Sequence, residues 1–332
     1  MAAHLTHGTG AAGFAVCRER DAVPDALRRA VVAIGNFDGV HRGHQRLLEI
    51  AGEAARRAGR PAIVLTFEPH PRSFFAPDRP VFRLTPEPVK LAVLARLGLG
   101  GVVLRRFDGA LAATSAQDFA QHLLFEELGA AAVVVGHDFH YGKGRQGTPA
   151  TLAAFCAERG VPCHIVEAVS LAGEAISSSA VRRALEEGEI GRANRLLGYG
   201  WFVMGEVRHG EKRGRTLGYP TANLRLGEDS RLRHGIYAVR MALEAGRVLG
   251  GVASFGRRPT FDDGAPLLEI FAFDFSGDLY GREIQVEFVD WIRGEEKFDS
   301  AEALVRRMDE DSRQARERLV RAQGEGLPSM IG

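Results

Sequence analysis

From Val31 onward, short apolar runs alternate with stretches whose apolar positions recur at helical spacing. The runs VVAIGNF, AIVLTF, GVVLRRF, AAVVVGH and CHIVEAVSL are continuously apolar, the pattern of strands covered on both faces. Between them GHQRLLEIAGEAARRAG, PEPVKLAVLARLG, SAQDFAQHLLFEELG and TPATLAAFCAERG read as helices. This alternation predicts βαβ units around a parallel sheet, an α/β Rossmann-like domain extending to about Gly198. Two short helical segments, Ser178–Glu187 and Gly191–Leu197, close it.

The pattern then changes. WFVMGEV, GIYAVRMAL, VLGGVASFG, LLEIFAFDF and REIQVEFVDWI follow one another through glycine-rich turns without intervening helices, which predicts a small antiparallel β-barrel. From Ala301 to about Gln323, Leu304, Met308 and Leu319 stand among many charges, as in a terminal helix with one packed face. The expected domains are therefore residues 1–198 and 199–332, and a chain of 332 residues suits about two domains.

Composition narrows the partners. With 43 basic against 42 acidic side chains the chain has no basic excess for nucleic acid or an anionic membrane, so small molecules are the expected partners. The three cysteines, Cys17, Cys156 and Cys163, are odd in number and lack metal-type spacing, which fits reduced thiols in a cytoplasmic protein. The charged first thirty residues argue against a secretory signal. The most apolar later stretches, Leu91–Leu104 and Leu128–Gly136, are interrupted by Arg96 or fall well short of the ~20 residues of a membrane helix. Oligomeric state is not legible.

Two stretches are built to hold phosphates, and two phosphate sites suggest two reactions in sequence. The first is Gly35-Asn36-Phe37-Asp38-Gly39-Val40-His41-Arg42-Gly43-His44, at the end of the first predicted strand. Its histidines, three apart at a helix start, project where free N–H groups and the positive dipole end also point. Gly35 and Gly39 allow the turn, and Gly43 leaves room for a nucleotide. An ordinary helix start with surface histidines has the same spacing. Ser177, Ser178 and Arg182 open another helix with hydroxyl caps and a guanidinium one turn in; this is either a second anion cradle or a simple cap. Asp138, Lys143 and Arg145 lie in a glycine-rich loop after a strand, and Pro69-His70-Pro71 is a rigid turn. Each allows a ligand role or a plain loop role.

The second stretch runs from Lys212 to Asn223. Gly214 and Gly218 let backbone wrap phosphate, and Pro220, Thr221, Ala222 and Asn223 follow, with hard oxygen donors suited to magnesium. A turn between strands would use similar residues. Glu269 interrupts the apolar run LLEIFAF, where a carboxylate is costly unless it faces solvent or a site.

GNFDGVHRGH, TFEPHP at Thr66–Pro71, VVGHDFHYGKGRQGT at Val134–Thr148 and ISSSAVRRAL resemble the adenylyltransferase half of bacterial bifunctional riboflavin kinase/FAD synthetases. GYPTANL, GVASFGRRPTF and LLEIFAFDFSGDLYG resemble their riboflavin kinase half. The resemblance spans roughly Val31 to Met308, seven motifs in order. It implies phosphorylation of riboflavin to FMN, then adenylylation of FMN to FAD, with ATP as co-substrate and Mg2+. It also implies that His41 and His44 contact ATP phosphates, that Asn36 and Asp38 shape the nucleotide pocket, and that Ser177, Ser178 and Arg182 hold the triphosphate end. Pro69-His70-Pro71 and Asp138 lie near flavin and nucleotide. Thr221 and Asn223 coordinate magnesium and phosphate, and Glu269 is the base. Three positions depart from the family pattern: His140 where arginine is frequent, Ser254 where asparagine is, and Phe271 where histidine is. Arg257, Arg258 and Pro259 are assigned mainly to loop structure. The rival readings are a nucleotidyltransferase for another acceptor and a flavin-binding regulator without catalysis.

Overall fold

The computed structural model describes residues 13–19, 21–209, 219–243, 246–257, 266–323 and 327–331. The chain packs as two compact units that divide between Ile176 and Ser177, with Phe82–Thr85 belonging to the second.

In the first unit six strands form one parallel sheet. They are β1 (Ala15–Arg18), β2 (Val31–Ile34), β3 (Ala62–Glu68), β4 (Gly101–Arg106), β5 (Ala132–Gly136) and β6 (Cys163–Val166), in the order β1-β4-β3-β2-β5-β6. All four residues of β2 are buried, as expected of a strand covered on both faces. The chain steps from β2 outward to β3 and β4, then returns to β5 on the other side of β2. That reversal opens a crevice at the carboxyl ends of β2 and β5, where α/β sheets bind ligands.

The helices of this unit are α1 (Arg42–Ala58), α2 (Pro71–Phe75), α3 (Glu87–Arg96), α4 (Gly109–Ala113), α5 (Ala116–Asp118), which continues as a π-helical stretch Phe119–Glu127, and α6 (Pro149–Ala157). Helix α1 buries Leu47, Leu48, Ala51, Ala54 and Ala55, one face of a 3.6-residue period, and ends on Gly59 in the left-handed conformation at φ 61°. Strand β1 has no counterpart in the periodic pattern that begins at Val31. Four residues carry too little alternation to be seen, and tertiary pairing with β4 holds them. The close approach needs Gly101, since a Cβ there would lie 2.2 Å from the Ala15 carbonyl oxygen. A short hairpin, β7 (Ser170–Leu171) and β8 (Glu174–Ala175), completes the unit.

The second unit is an antiparallel sheet of β9 (Phe202–Glu206), β10 (Ala222–Arg225), β11 (Gly235–Ala242), β12 (Val248–Arg257), β13 (Pro266–Ala272) and β14 (Glu283–Arg293). The order is β10-β13-β12-β11-β14-β9. Arg208, just past β9, donates its N–H to the carbonyl of Asn223 in β10 at 2.9 Å, so the two edges meet and the sheet curls into a barrel. Strand β10 begins in the last two residues of the stretch read from sequence as a phosphate loop; at four residues it was hidden by that loop-like composition.

Helices α7 (Ser178–Glu187) and α8 (Ile190–Leu197) pack with the barrel. The buried Asn194 of α8 donates to the Phe288 carbonyl at 3.0 Å and accepts from the Trp201 N–H at 2.8 Å. Arg233 donates to the Glu187 carbonyl at 2.7 Å and lies over the Trp291 ring at 3.9 Å. The periodic pattern changes at 198/199, whereas packing divides at 176/177, because these two helices bury their apolar faces on strands that follow them. Phe82–Thr85 joins the same unit through the Leu84 carbonyl, which accepts from Trp201 Nε1 at 2.9 Å.

Terminal helix α9 (Ala301–Gln323) lays Ala315 and Leu319 on Ala238, Val252 and Phe273. A buried ion pair fixes it, with Arg293 Nε and Nη2 donating to the two oxygens of Asp311 at 2.8 and 2.6 Å. Asp311→Ala strands the Arg293 guanidinium in a largely buried place. The expected loss is about 3 kcal/mol of stability, measured by chemical denaturation, and a loss within experimental error would refute the role of this pair in docking α9.

Candidate active sites

In the first unit the chain leaves β2 at Gly35 and turns sharply into α1. Phe37 and Val40 adopt positive φ of 47° and 37°, conformations that non-glycine residues rarely take, and Gly39 sits at φ 87°. The Phe37 side chain is fully buried and lies under Gly35, where a Cβ would meet its ring at 3.2 Å. Phe37 therefore builds the turn from below, and the backbone of the segment is what it leaves toward the crevice. Asp38 is likewise buried, at 1% exposure.

His41 caps α1. Its Nδ1 accepts from the His44 N–H at 3.3 Å, which leaves Nε2 to carry the proton of a neutral ring. The His41 and His44 rings stack at 3.7 Å between centroids, 16° from parallel, and Phe37 flanks His44 at 5.2 Å. A Cβ on Gly43 would come within 3.2 Å of the His41 ring, so a side chain there would press on the stack. Burial pushes the His44 pKa well below the ordinary 6.5, helped by the charges of His41 and Lys90. His44 Nδ1 is sealed from solvent with no hydrogen-bond partner. The arrangement is a desolvated imidazole pair at a helix start, with His44 held neutral, suited to meeting an anion.

The second segment at this edge follows β3. The Thr66 hydroxyl donates to the Asn36 carbonyl at 3.1 Å and so joins β3 to the first segment. Glu68 ends β3, and the Glu68–Pro69 bond is cis. The buried His70 accepts at Nδ1 from the Arg72 N–H at 3.1 Å and caps α2. The third segment follows β5. Asp138 and Arg145 are exposed there, Arg145 at φ 59°, and His140 Nδ1 lies 2.9 Å from the Asp138 carbonyl. Phe139 and Tyr141 stack at 5.4 Å beneath the loop. All three segments thus leave the carboxyl ends of neighbouring strands.

The serine and arginine cluster stands in the second unit. The Ser177 hydroxyl accepts from the Ala180 N–H at 3.2 Å as the cap of α7, Ser178 is its first residue, and Arg182 Nε donates to the Phe82 carbonyl at 2.7 Å. The cap role considered from sequence is present; a ligand role is a matter for the proposal below.

In the barrel, strand register assembles the remaining candidates. Asn223 pairs with Glu269, and Glu269 pairs with Ser254, so the three stand in one row across β10, β13 and β12 and on one face. Along β13 Leu268 and Ile270 are buried while Leu267, Glu269 and Phe271 are half-buried, which puts the carboxylate on the side away from the barrel core. Asn223 is buried, with Nδ2 3.4 Å from the Thr221 carbonyl. Tyr219, just before the exposed Pro220, donates its hydroxyl to Asp309 of α9 and packs on Phe271 at 4.7 Å. Phe271 is thereby occupied in holding α9, a use that needs an aromatic ring and no imidazole. Arg257 donates to the carbonyls of Glu228 and Ser230 at 2.9 and 3.3 Å, a loop-fixing role. Gly214, Gly218, Arg258 and Pro259 lie outside the described residues.

Comparison with known proteins covers both halves of the chain. Residues 23–180 match the FAD synthetase family and residues 197–319 the riboflavin kinase family. The chain is 40% identical over 287 residues to the bifunctional riboflavin kinase/FMN adenylyltransferase of Escherichia coli (strain K12), covering 86% of this chain and 92% of that protein. The chain belongs to the bifunctional riboflavin kinase/FMN adenylyltransferase family. The Bacillus subtilis (strain 168) member of this family is 35% identical over 298 residues, 88% of this chain and 93% of that one. A crystal structure described as a macrolide-efflux protein from Streptococcus pneumoniae is similar with a TM-score of 0.81 and 31% identity, covering 91% of this chain and 98% of that chain. Among the described residues of this riboflavin kinase/FMN adenylyltransferase family member, no helix is long and apolar enough to cross a membrane.

Reading the motifs one by one missed two residues beside them. Lys90, 1% exposed, reaches Glu68 and Thr66 from α3, and Asp309 holds Tyr219 from α9. A lysine inside the helical run PEPVKLAVLARLG at an otherwise apolar face was the available signal for the first. Asp309 has no local signal, since it is one acid among many on a charged helix.

Proposed function

We infer that this chain phosphorylates riboflavin to FMN with ATP and then adenylylates FMN to FAD, releasing pyrophosphate. One observation carries the reading: a single chain matches the FAD synthetase and riboflavin kinase families in succession, and each match spans one of the two sites described, Arg182 excepted. Along the sequence, adenylyl transfer is assigned to residues 1–198 and phosphorylation to 199–332. The FAD synthetase match runs on to residue 180, past the packing boundary at Ser177, in keeping with that functional division. ATP is the co-substrate of both steps, and a cytoplasmic location suits that demand.

In the kinase half, Glu269 accepts the proton of the ribityl 5′-hydroxyl while the new O–P bond forms to the γ-phosphorus of ATP, and ADP leaves. Support for this role is the strand register, which sets Glu269 directly opposite Asn223 and off the core face. Thr221 and Asn223 offer hydroxyl and amide oxygens, hard donors that fit Mg2+. Bound there, the ion would neutralise charge on the transferring phosphoryl group. Gly214, Gly218 and Pro220 are assigned to the phosphate-wrapping segment, and Ser254 to the riboflavin side of the row.

In the adenylylation half, an oxygen of the FMN phosphate attacks the α-phosphorus of ATP. One P–O bond forms and the bond to the β-phosphate breaks. The nucleophile is already an anion, so no base or covalent intermediate is needed; the protein positions the two phosphates and offsets their charge. His41 and His44 donate to phosphate oxygens, with the backbone from Gly35 to Gly43 closing on the nucleotide. Asn36, Asp38, Asp138 and Arg145 shape the nucleotide side, Pro69-His70-Pro71 the flavin side, and Ser177, Ser178 and Arg182 receive the triphosphate end.

Purified protein incubated with riboflavin, ATP and magnesium should yield FMN first and FAD after it, followed by chromatography of the flavins. FMN alone would remove the adenylyltransferase assignment, and unchanged riboflavin the kinase assignment.

A further inference from the structure

A lysine with 1% exposure is rare unless its charge is paired, and Lys90 lies at the meeting point of the segments that leave β2 and β3. Its Nζ donates to Glu68 Oε1 at 2.9 Å and lies 3.5 Å from the Thr66 hydroxyl. Glu68 is the residue before Pro69-His70-Pro71, and Thr66 holds the Asn36 carbonyl at 3.1 Å. One ammonium group therefore ties helix α3 to both the flavin segment and the nucleotide segment.

Resting on the adenylyltransferase reading above, we propose that Lys90 is a positioning residue for adenylyl transfer, fixing the flavin segment through Glu68 and the nucleotide segment through Thr66. A packing lysine would need one partner at most. This one bridges two, each a single residue or one hydrogen bond away from a segment assigned to a different substrate. Its charge does further work. The ionisable groups acting on His44 are His41, at the start of its own helix, and Lys90, from α3; both disfavour a cation there, so the ring stays neutral until phosphate arrives. Desolvation at His44 acts in the same direction as Lys90.

The test uses the full chain, with riboflavin phosphorylation as an internal control of folding. Lys90→Met should lower kcat for FMN adenylylation about 10- to 100-fold, the size expected of small misplacement of reacting groups, and raise KM for FMN. It should also move the NMR titration of the His44 imidazole to higher pH, a readout that a purely structural role would leave in place. Glu68→Gln should raise KM for FMN and leave the His44 titration where it is, while Lys90→Arg should recover the wild-type titration. If Lys90→Met loses both activities through misfolding, the Glu68→Gln and Lys90→Arg pair decides. Adenylylation kinetics within twofold of wild type together with an unmoved His44 titration would overturn the proposal. Wild-type protein that makes no FAD from FMN would overturn the adenylyltransferase reading itself, and the Lys90 proposal with it.

Discussion

Glu269→Gln is expected to abolish FMN formation from riboflavin while FMN continues to be converted to FAD. The substitution keeps volume, shape and one hydrogen-bonding oxygen, and removes the capacity to take a proton. A positioned general base contributes typically 10²- to 10⁴-fold, so kcat of the kinase step should fall by about that factor with little change in stability. The size of the effect follows from the row in which Glu269 stands. Asn223 is directly opposite on β10 and Ser254 directly opposite on β12, so the carboxylate stands in the same row as the proposed magnesium donor Asn223. The rival reading, a solvated strand residue with no function, predicts kinase activity within twofold of wild type. The measurement is a pair of assays on one preparation: ADP release with riboflavin, and FAD formation from supplied FMN. Loss of both activities in a folded variant would refute separate sites.

How much of this was legible in the sequence depends on what kind of force fixes each piece. The parallel sheet was visible because strands buried on both faces must be continuously apolar, as VVAI and AIVLTF are. The barrel strands β9 and β11 to β14 were visible as apolar runs between glycine-rich turns, and helix α9 as apolar positions at helical spacing among charges. Strands β1 and β10 were not, since four residues held by pairing with distant partners carry no local pattern. The candidate residues themselves were chosen from spacing and family resemblance, and their geometry came only with three-dimensional register. Nothing in LLEIFAF says that its glutamate faces Asn223, because the pairing of β10 with β13 is set by turns and burial far away in sequence. The packing boundary at Ser177 was equally hidden. It depends on Asn194 finding the Phe288 carbonyl and on Arg233 finding the Glu187 carbonyl, contacts 94 and 46 residues apart that no composition shift announces.

His44→Ala is expected to do the reverse of the Glu269 change: FMN should accumulate from riboflavin and FAD should not form. Removing one preorganised donor to a developing phosphate charge costs about 10²- to 10³-fold in comparable sites. The same variant tests the electrostatics independently of catalysis. The folded-state pKa of His44 lies well below its ordinary 6.5, so below that pH the unfolded chain binds a proton that the folded chain refuses. The sign follows directly: stability rises with pH where the unfolded state holds more protons, and the folded protein loses stability as pH falls through about 6.5. The loss from this one group is at most about 1.4 kcal/mol per pH unit. Denaturation at pH 7.5 and at pH 5.5 should show a smaller drop for His44→Ala than for the wild type, since alanine has no proton to refuse. Saturating ATP should shrink the wild-type drop as well, because a triphosphate beside the ring supplies the counter-charge that burial withholds. Equal drops for both proteins would mean that His44 is solvated like any surface histidine. The stacked pair would then be a helix cap alone, and the phosphate contact would have to move to other donors at the crevice.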